Sequence, residues 1–353
     1  MSIFNKKFID PTPPYFGLDI SELSIKVLQM TRHGKYDAVH GFANEKIGSG
    51  IVKNGNIENA GGIIKAIDRA RKKAGITTKN VICSLPESKS FLRVVTIPQM
   101  EKTEVAEAIK WEIEAAIPLS IDQVYYDWQI LNQRLTKDKR QMDVIIVAVS
   151  KKFINDFVFV LRKAGLVAYG FEVEPVAEAN SLLRDEEKGV TTMIIDIGDK
   201  NTSFVITVDN IPVFTSNIPL SSESLTKAIE QTFGITYEEA EKIKIMYGIG
   251  SVLKNDHVFQ ATKSVVENFV TEAQKSIDFY LNDLTYSKKI DRIIMCGGGA
   301  RTKGITPYLS RRLGYNIELG NPWINLNFKG VPPISREASV QYATVIGLAT
   351  KKL

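Results

Sequence analysis

Tyr15-Phe16-Gly17-Leu18-Asp19-Ile20-Ser21-Glu22-Leu23-Ser24-Ile25-Lys26-Val27-Leu28-Gln29-Met30 reads as an apolar strand closed by an acid, a tight small-residue turn, and a returning strand of alternating polarity. The pattern recurs half a chain later. Thr192 to Ile197 is again a strand closed by an acid in Ile195-Asp196-Ile197-Gly198-Asp199, and Thr202 to Val208 returns. A repeat this long is not a solenoid, whose units run to about 20–50 residues. It predicts two similar α/β lobes facing one another.

Working outward, a third strand is expected from Ala38 to Glu45. Helical spacing runs from Ile63 to Ala74, with Ile63, Ile64 and Ile67 on one face and the basic cluster Arg69-Ala70-Arg71-Lys72-Lys73 at its end. Val81 to Leu85 reads as a buried strand. From about Leu85 to Leu166 the order is β-α-β-β-α: Phe91 to Ile97, Glu101 to Ala116, Val124 to Leu135, Met142 to Ser150, then Lys151 to Ala164, with Lys137 to Arg140 as a basic hairpin turn. In the second half Asp209-Asn210 is a strong hairpin signal between Val208 and Ile211. Helices are expected over Ser221–Phe233, Tyr237–Tyr247, Ser264–Leu284 and Ala338–Thr350. The expected division is a first-lobe core at 1–84, an inserted subdomain at 85–166, a return to the first lobe at 167–190, a second lobe at 191–334 and a C-terminal helix at 335–353.

The chain has 353 residues, 44% hydrophobic and 24% charged, which excludes a largely disordered or collagenous polypeptide. No apolar run approaches the roughly 18–20 residues that cross a bilayer, so no direct membrane span is expected. No secretory core follows Met1 to Lys7, because Asp10 and a proline cluster interrupt it. The net charge of +5 is dispersed, which argues against nucleic acid as a partner. Cys83 and Cys296 sit in apolar runs and read as reduced core thiols of a cytosolic protein. His33, His40 and His257 are scattered and suit no zinc site.

Two aspartates at the ends of facing strands suit one task. Short loops of convergent amides cradle phosphate oxygens, and one or two carboxylates hold a hydrated Mg²⁺ beside them. Asp19 and Asp196 are the metal candidates. Gly297-Gly298-Gly299, between a strand and a helix, lets backbone approach a ring or ribose closely. Glu174-Pro175 starts a helix after the strand Tyr169 to Val173. Pro there is structurally ordinary, and the functional alternative makes Glu174 a catalytic carboxylate that orients a water against a γ-phosphate and polarises it as general base.

Together these stretches resemble the actin-like ATPase superfamily, a duplicated ribonuclease H-like fold with two lobes around a nucleotide cleft. Phe16 to Lys26 matches phosphate-1, Phe171 to Leu182 connect-1, Ile194 to Ser203 phosphate-2, Ile293 to Arg301 adenosine, and Ser339 to Leu348 connect-2. Within the superfamily, Glu107 to Pro118, a helix with Trp111-Glu112 ending in Ile117-Pro118, and the strand near Tyr126-Asp127-Trp128 resemble the inserted subdomain of the PilM family of type IV pilus assembly. The resemblance implies ATP and Mg²⁺, with Asp19, Ser21, Ser24, Lys26, Asp196, Gly198, Asn201, Thr202, Glu241, Lys244, Gly297, Gly298, Gly299 and Arg301 at the cofactor. Glu241 and Lys244 also read as an i,i+3 surface ion pair. Ser21 stands where the family often has Gly.

The resemblance further implies a cytoplasmic adaptor of type IV pilus or related secretion assembly, peripheral to the inner membrane through its partners, with slow ATP hydrolysis compatible with the site. The implied partners are the N-terminal cytoplasmic peptide of a PilN-like inner-membrane protein, bound beside the insert with Trp111 and Tyr126 at the groove, and the pilus motor and platform proteins. Self-association is compatible with the fold. An FtsA-type filament protein is the nearest rival and should continue past connect-2 into an amphipathic helix, whereas this sequence stops at Leu353. A small-molecule kinase of the same fold would need a substrate insert with a positioned base, and nothing singles one out.

Overall fold

β1 (Tyr15–Ile20) pairs antiparallel with β2 (Ser24–His33), which puts Asp19 opposite Lys26, and β2 pairs antiparallel with β3 (Tyr36–Lys46). After a short hairpin, β4 (Val52–Lys53) and β5 (Asn56–Ile57), comes α1 (Ala60–Ala74). It is capped by the Asn59 side chain and buries Ile63, Ala66, Ile67, Ala70 and Ala74, while Arg71, Lys72 and Lys73 sit at the negative end of its dipole. β6 (Asn80–Leu85) then returns parallel to β1. The structure, a computed structural model, describes residues 13–131, 140–250, 256–284 and 288–351.

The insert comprises β7 (Ser90–Pro98), α2 (Lys102–Ala116), β8 (Val124–Ile130) and β9 (Gln141–Ser150), its sheet ordered β7-β9-β8. Val105, Ile109 and Ile113 of α2 lie on one face of that sheet against Val95, Ile97, Val144 and Ile146. Residues 132–135 of the expected strand, and most of the basic turn at 137–140, lie outside the described residues. α3 (Lys151–Lys163) takes its apolar face elsewhere. Phe153, Ile154, Phe157, Val160 and Leu161 pack into the first-lobe core with α1 and β6. β10 (Val167–Val173) completes that sheet, in the order β10-β6-β1-β2-β3, and leads into α4 (Glu174–Leu182).

The second lobe repeats the plan. β11 (Thr191–Ile197), β12 (Thr202–Val208) and β13 (Ile211–Ile218) form an antiparallel meander, and Asp209 and Asn210 turn it with φ of 53° and 66°. These positive values are what a two-residue hairpin of this hand demands. α5 (Ser222–Phe233), α6 (Tyr237–Tyr247) and α7 (His257–Asp283) follow. α7 starts seven residues before the expected Ser264, because the Asp256 side chain caps it on the Val258 amide. β14 (Arg292–Cys296) runs parallel to β11, and after α8 (Ile305–Leu313) β15 (Ile317–Leu319) closes the sheet as β13-β12-β11-β14-β15.

The helix expected from Ala338 to Thr350 is broken. α9 (Arg336–Ser339) passes through a 3₁₀ turn at Val340–Tyr342 into α10 (Ala343–Ala349). The Val340 carbonyl is engaged by the Gly297 amide, which ties this turn to the glycine loop. α4 and α10 lie between the two sheets: Ala177 and Leu348 meet Ile82 of the first lobe, and Ala179 and Leu182 meet Ile194 and Ile294 of the second. The two helices touch at Gly347, where a Cβ would stand 1.9 Å from the Ala177 carbonyl oxygen.

Candidate functional site

The two lobes enclose a cleft of about 900 Å³ at the ends of β1 and β11. Asp19, Ser21, Ser24 and Lys26 line it from the first lobe, and Asp196, Gly198, Asn201, Glu241 and Lys244 from the second. Glu174, Gly297, Gly298 and Arg301 line it too. Two sequence candidates do not. Thr202 is fully buried and donates its hydroxyl to the Leu220 carbonyl, 2.7 Å away. Gly299 is buried behind the loop, where a Cβ would meet Ile197 Cγ2 at 2.3 Å. Both shape the loops from behind.

The first-lobe end is a charged knot. Lys26 Nζ pairs with Asp19 Oδ2 at 3.1 Å, and Ser84 donates to Asp19 Oδ1 at 2.9 Å. Burial works against the Lys26 charge, but Asp19, Asp199 and Asp196 outweigh it and hold the ammonium more firmly charged than an ordinary lysine. The turn amides are spent locally: the Ser21 amide closes on Ser24 O and the Gly198 amide on Asn201 O, both at 2.9 Å. The loop tips Glu22, Leu23, Asp199 and Lys200, together with Lys26, also face the cleft. Among the described residues, the positive-φ non-glycine ones are Asn54, Asp209 and Asn210, so Ser21 carries no left-handed strain.

Behind Asp196 lies a residue that the motif reading missed. Glu178 on α4 is buried, and its Oε2 and Asp196 Oδ1 have no hydrogen-bond partner other than each other. Two acceptors share a hydrogen bond only if one carboxyl keeps its proton. Burial, then the charges of Asp196 and Glu174, push Glu178 well above the carboxylate range, which makes it the donor. Burial also raises Asp196. Gly297, at φ 84°, leaves room here, since a Cβ would stand 2.0 Å from Asp196 Oδ1. The sequence signal was present: Glu174 and Glu178 are four apart, the two acids of a helix whose other polar residues are Asn180 and Ser181, and they share its face.

This pair gives an expected result. Glu178→Gln, which keeps a donor toward Asp196, should fold near parental stability, whereas Glu178→Leu leaves a buried acceptor unmet at a cost of about 1–3 kcal/mol. Urea unfolding of the two variants decides. Equal loss in both would show that no hydrogen bond links these carboxyls.

Glu174 is half-buried at the cleft wall, and its Oε2 accepts the Glu87 backbone N–H at 3.1 Å. Burial, then Asp19, pushes its pKa up to about 8. At neutral pH the ligand-free protein therefore holds it mostly as the acid. On the second-lobe wall of the cleft, Lys244 pairs with Glu241 at 2.8 Å and donates to Ser222 Oγ at 2.8 Å, while Thr226 donates to Glu241 at 2.6 Å. The pair is an i,i+3 ion pair and a cleft wall at once. Lys244 is only 7% exposed and ties α6 to the start of α5. Away from the cleft, Ile109 and Ile113 are core but Trp111 between them is 73% exposed, and Tyr126 packs partly against the insert core. Cys83 and Cys296 are buried free thiols. Among the described residues no helix is long and apolar enough to cross a membrane.

A family model described as type IV pilus assembly protein PilM matches residues 17–353, from the first Asp turn through the last helix. The chain belongs to the PilM family. Its fold is that of the PilM–PilN type IV pilus biogenesis complex, to which it is similar with a TM-score of 0.82 at 24% identity, covering 96% of this chain and 98% of that one. It is also similar to an MreB of Spiroplasma citri bound to ADP, with a TM-score of 0.56 at 13% identity over 95% of both chains. By sequence it is similar to the cell division protein FtsA of Enterococcus hirae, 25% identical over 88% of this chain and 79% of that protein. The actin-like α/β architecture expected from the duplicated strand–Asp–turn pattern is therefore the fold of this PilM family chain.

Proposed function

We propose that this PilM family chain is a cytoplasmic, ATP-binding adaptor that holds the cytoplasmic N-terminal tail of a PilN-like inner-membrane protein and links it to the pilus motor platform. The observation that carries the nucleotide half is the pair Asp19 and Asp196, set at equivalent strand ends of the two lobes and lining one cleft with Lys26 between them. The fit to Mg²⁺ and phosphate rests on that donor set: hard carboxylates, one ammonium and a glycine loop that a side chain would fill. Asp19 and Asp196 would hold the hydrated ion, and Lys26 would exchange its Asp19 contact for phosphate oxygens. When bound, Mg²⁺ screens the charge of the phosphates. Glu241, Lys244 and Arg301 wall the end assigned to the base and ribose.

Glu174 supports a slow enzyme at most. A general base must be ionised, and an acid held near pH 8 orients a water better than it deprotonates one. The insert is the proposed partner site. Trp111 stands free of the core on α2, and Tyr125 on the edge strand β8 is half exposed beside α3. An extended apolar peptide adds readily to such an edge strand.

The test is a melt. Mg-ATP at a hundred times its dissociation constant should stabilise the parent by about 2.7 kcal/mol. Asp196→Ala should lose most of the Mg²⁺-dependent part. An unchanged gain in the variant would remove the metal role, and a PilN-like tail peptide that fails to co-elute with the parent in gel filtration would remove the adaptor role. The similarity to FtsA favours a second reading, a filament subunit. Sedimentation of the protein with Mg-ATP would support it, and a strict monomer would end it.

A further inference from the structure

The insert leaves the chain from the first lobe but is not seated there alone. Its sheet has two faces. α2 covers one, and the other carries Leu92 and Val94 of β7 opposite Val147 and Ile145 of β9. Leu92, Val147 and Val149 pack against the first-lobe core. Val94 and Leu131 are buried in the core of the second lobe, with Ile145 packed against it, where β7 lies on β13. One sheet face therefore spans the junction between the lobes. At the joint, the Glu87–Lys89 turn leads straight into β7. The Glu87 amide holds Glu174 in the cleft, and its carboxyl hydrogen-bonds Thr215 of β13.

We propose that the insert is a brace across the two lobes, which sets their separation and thereby the rate at which the cleft exchanges its ligand. The exchange half rests on the nucleotide reading above; the brace itself does not. A cleft between lobes hinged at α4 and α10 widens only if the two sheets move apart, and a rigid sheet seated on both resists that motion. The resistance comes from buried apolar contact at Val94 and Leu131, so it is strong and short-ranged. Any partner that lifts the insert from β13 loosens the cleft, and by reciprocity a ligand that closes the cleft tightens the insert.

The experiment places spin labels on the exposed α1 and α7 positions Lys73→Cys and Lys263→Cys and measures the interlobe distance distribution of the ligand-free protein. Val94→Ala with Ile145→Ala weakens the seam. Thr215→Val, which removes only the hydrogen bond to Glu87, is the milder variant should the double variant not fold. Both should broaden the distribution relative to the parent, and Lys102→Ala, exposed on α2 at the far face, should not. Release of fluorescent N-methylanthraniloyl-ATP with Mg²⁺ should accelerate about fivefold or more in the seam variants, the size of an ordinary coupling between sites. Distributions that stay narrow in both variants overturn the brace. Broad distributions with unchanged release overturn its control of exchange. Broad distributions in a protein that never binds the nucleotide uphold the brace and refute the nucleotide reading instead.

Discussion

Gly347→Ala should cost the protein about 3 kcal/mol or more, beyond the ordinary 1–3 kcal/mol of an overpacked core, and should force the two lobes apart. The new methyl would stand 1.9 Å from the Ala177 carbonyl oxygen, and that oxygen belongs to helix backbone, which cannot rotate aside as a side chain would. α10 would have to move off α4. Both helices have buried faces on both central sheets and touch each other, so the shift propagates to the cleft. Urea unfolding with a far-ultraviolet probe gives the loss. A variant within about 1 kcal/mol of the parent would mean that the helices cross less tightly than this structure has them.

The second large effect is a dependence on pH. Glu174 titrates near 8 in the folded, ligand-free protein and near its ordinary 4.5 when unfolded. A carboxyl raised by folding keeps its proton while the unfolded chain has lost its own. Its contribution to stability is fully present below about pH 4.5 and is lost as pH rises to about 8, at roughly 1.4 kcal/mol for each tenfold difference in proton affinity. Glu174→Gln has no proton to lose. The stability of the variant relative to the parent should therefore grow by several kcal/mol between pH 5 and pH 8, the direction being the firm part. Unfolding of both proteins at a series of pH values reads this group together with the carboxyls it faces, Asp19, Asp196 and Glu178, because titrations elsewhere cancel in the difference. A difference that stays flat with pH would show that Glu174 is ionised in the folded protein. It would then be free to act as the base that the motif reading assigned to it.

The cleft candidates divide by how local their signal is. Asp19, Lys26 and Asp196 were legible because each belongs to a strand–turn–strand pattern carried within about a dozen residues, and the pattern occurs twice. The Asp209–Asn210 hairpin and α6 were legible for the same reason, since turn chemistry and caps act over a few residues. Thr202 and Gly299 were read as ligand-facing because motifs name positions, not directions. Whether a loop residue faces the cleft or the core depends on what packs behind it, here Leu220 and Ile197.

The sequence by itself determined the duplication, the opening strands of both lobes, the two acid turns and the existence of an insert, because these follow from side-chain periodicity and turn residues along one chain; β4, β5, α8 and β15 went unread. Tertiary structure alone decided the rest. Ser84 meets Asp19 only because β6 lies parallel to β1, and Glu178 meets Asp196 only because α4 passes behind β11. The α3 face packs on the first lobe instead of on the sheet that precedes it, and the insert reaches the second lobe through Val94 and Leu131. Each of these is a contact between segments far apart in the chain. Apolar faces announce that they will be buried but not against what, and the partner is chosen by which surfaces the whole fold brings within van der Waals reach.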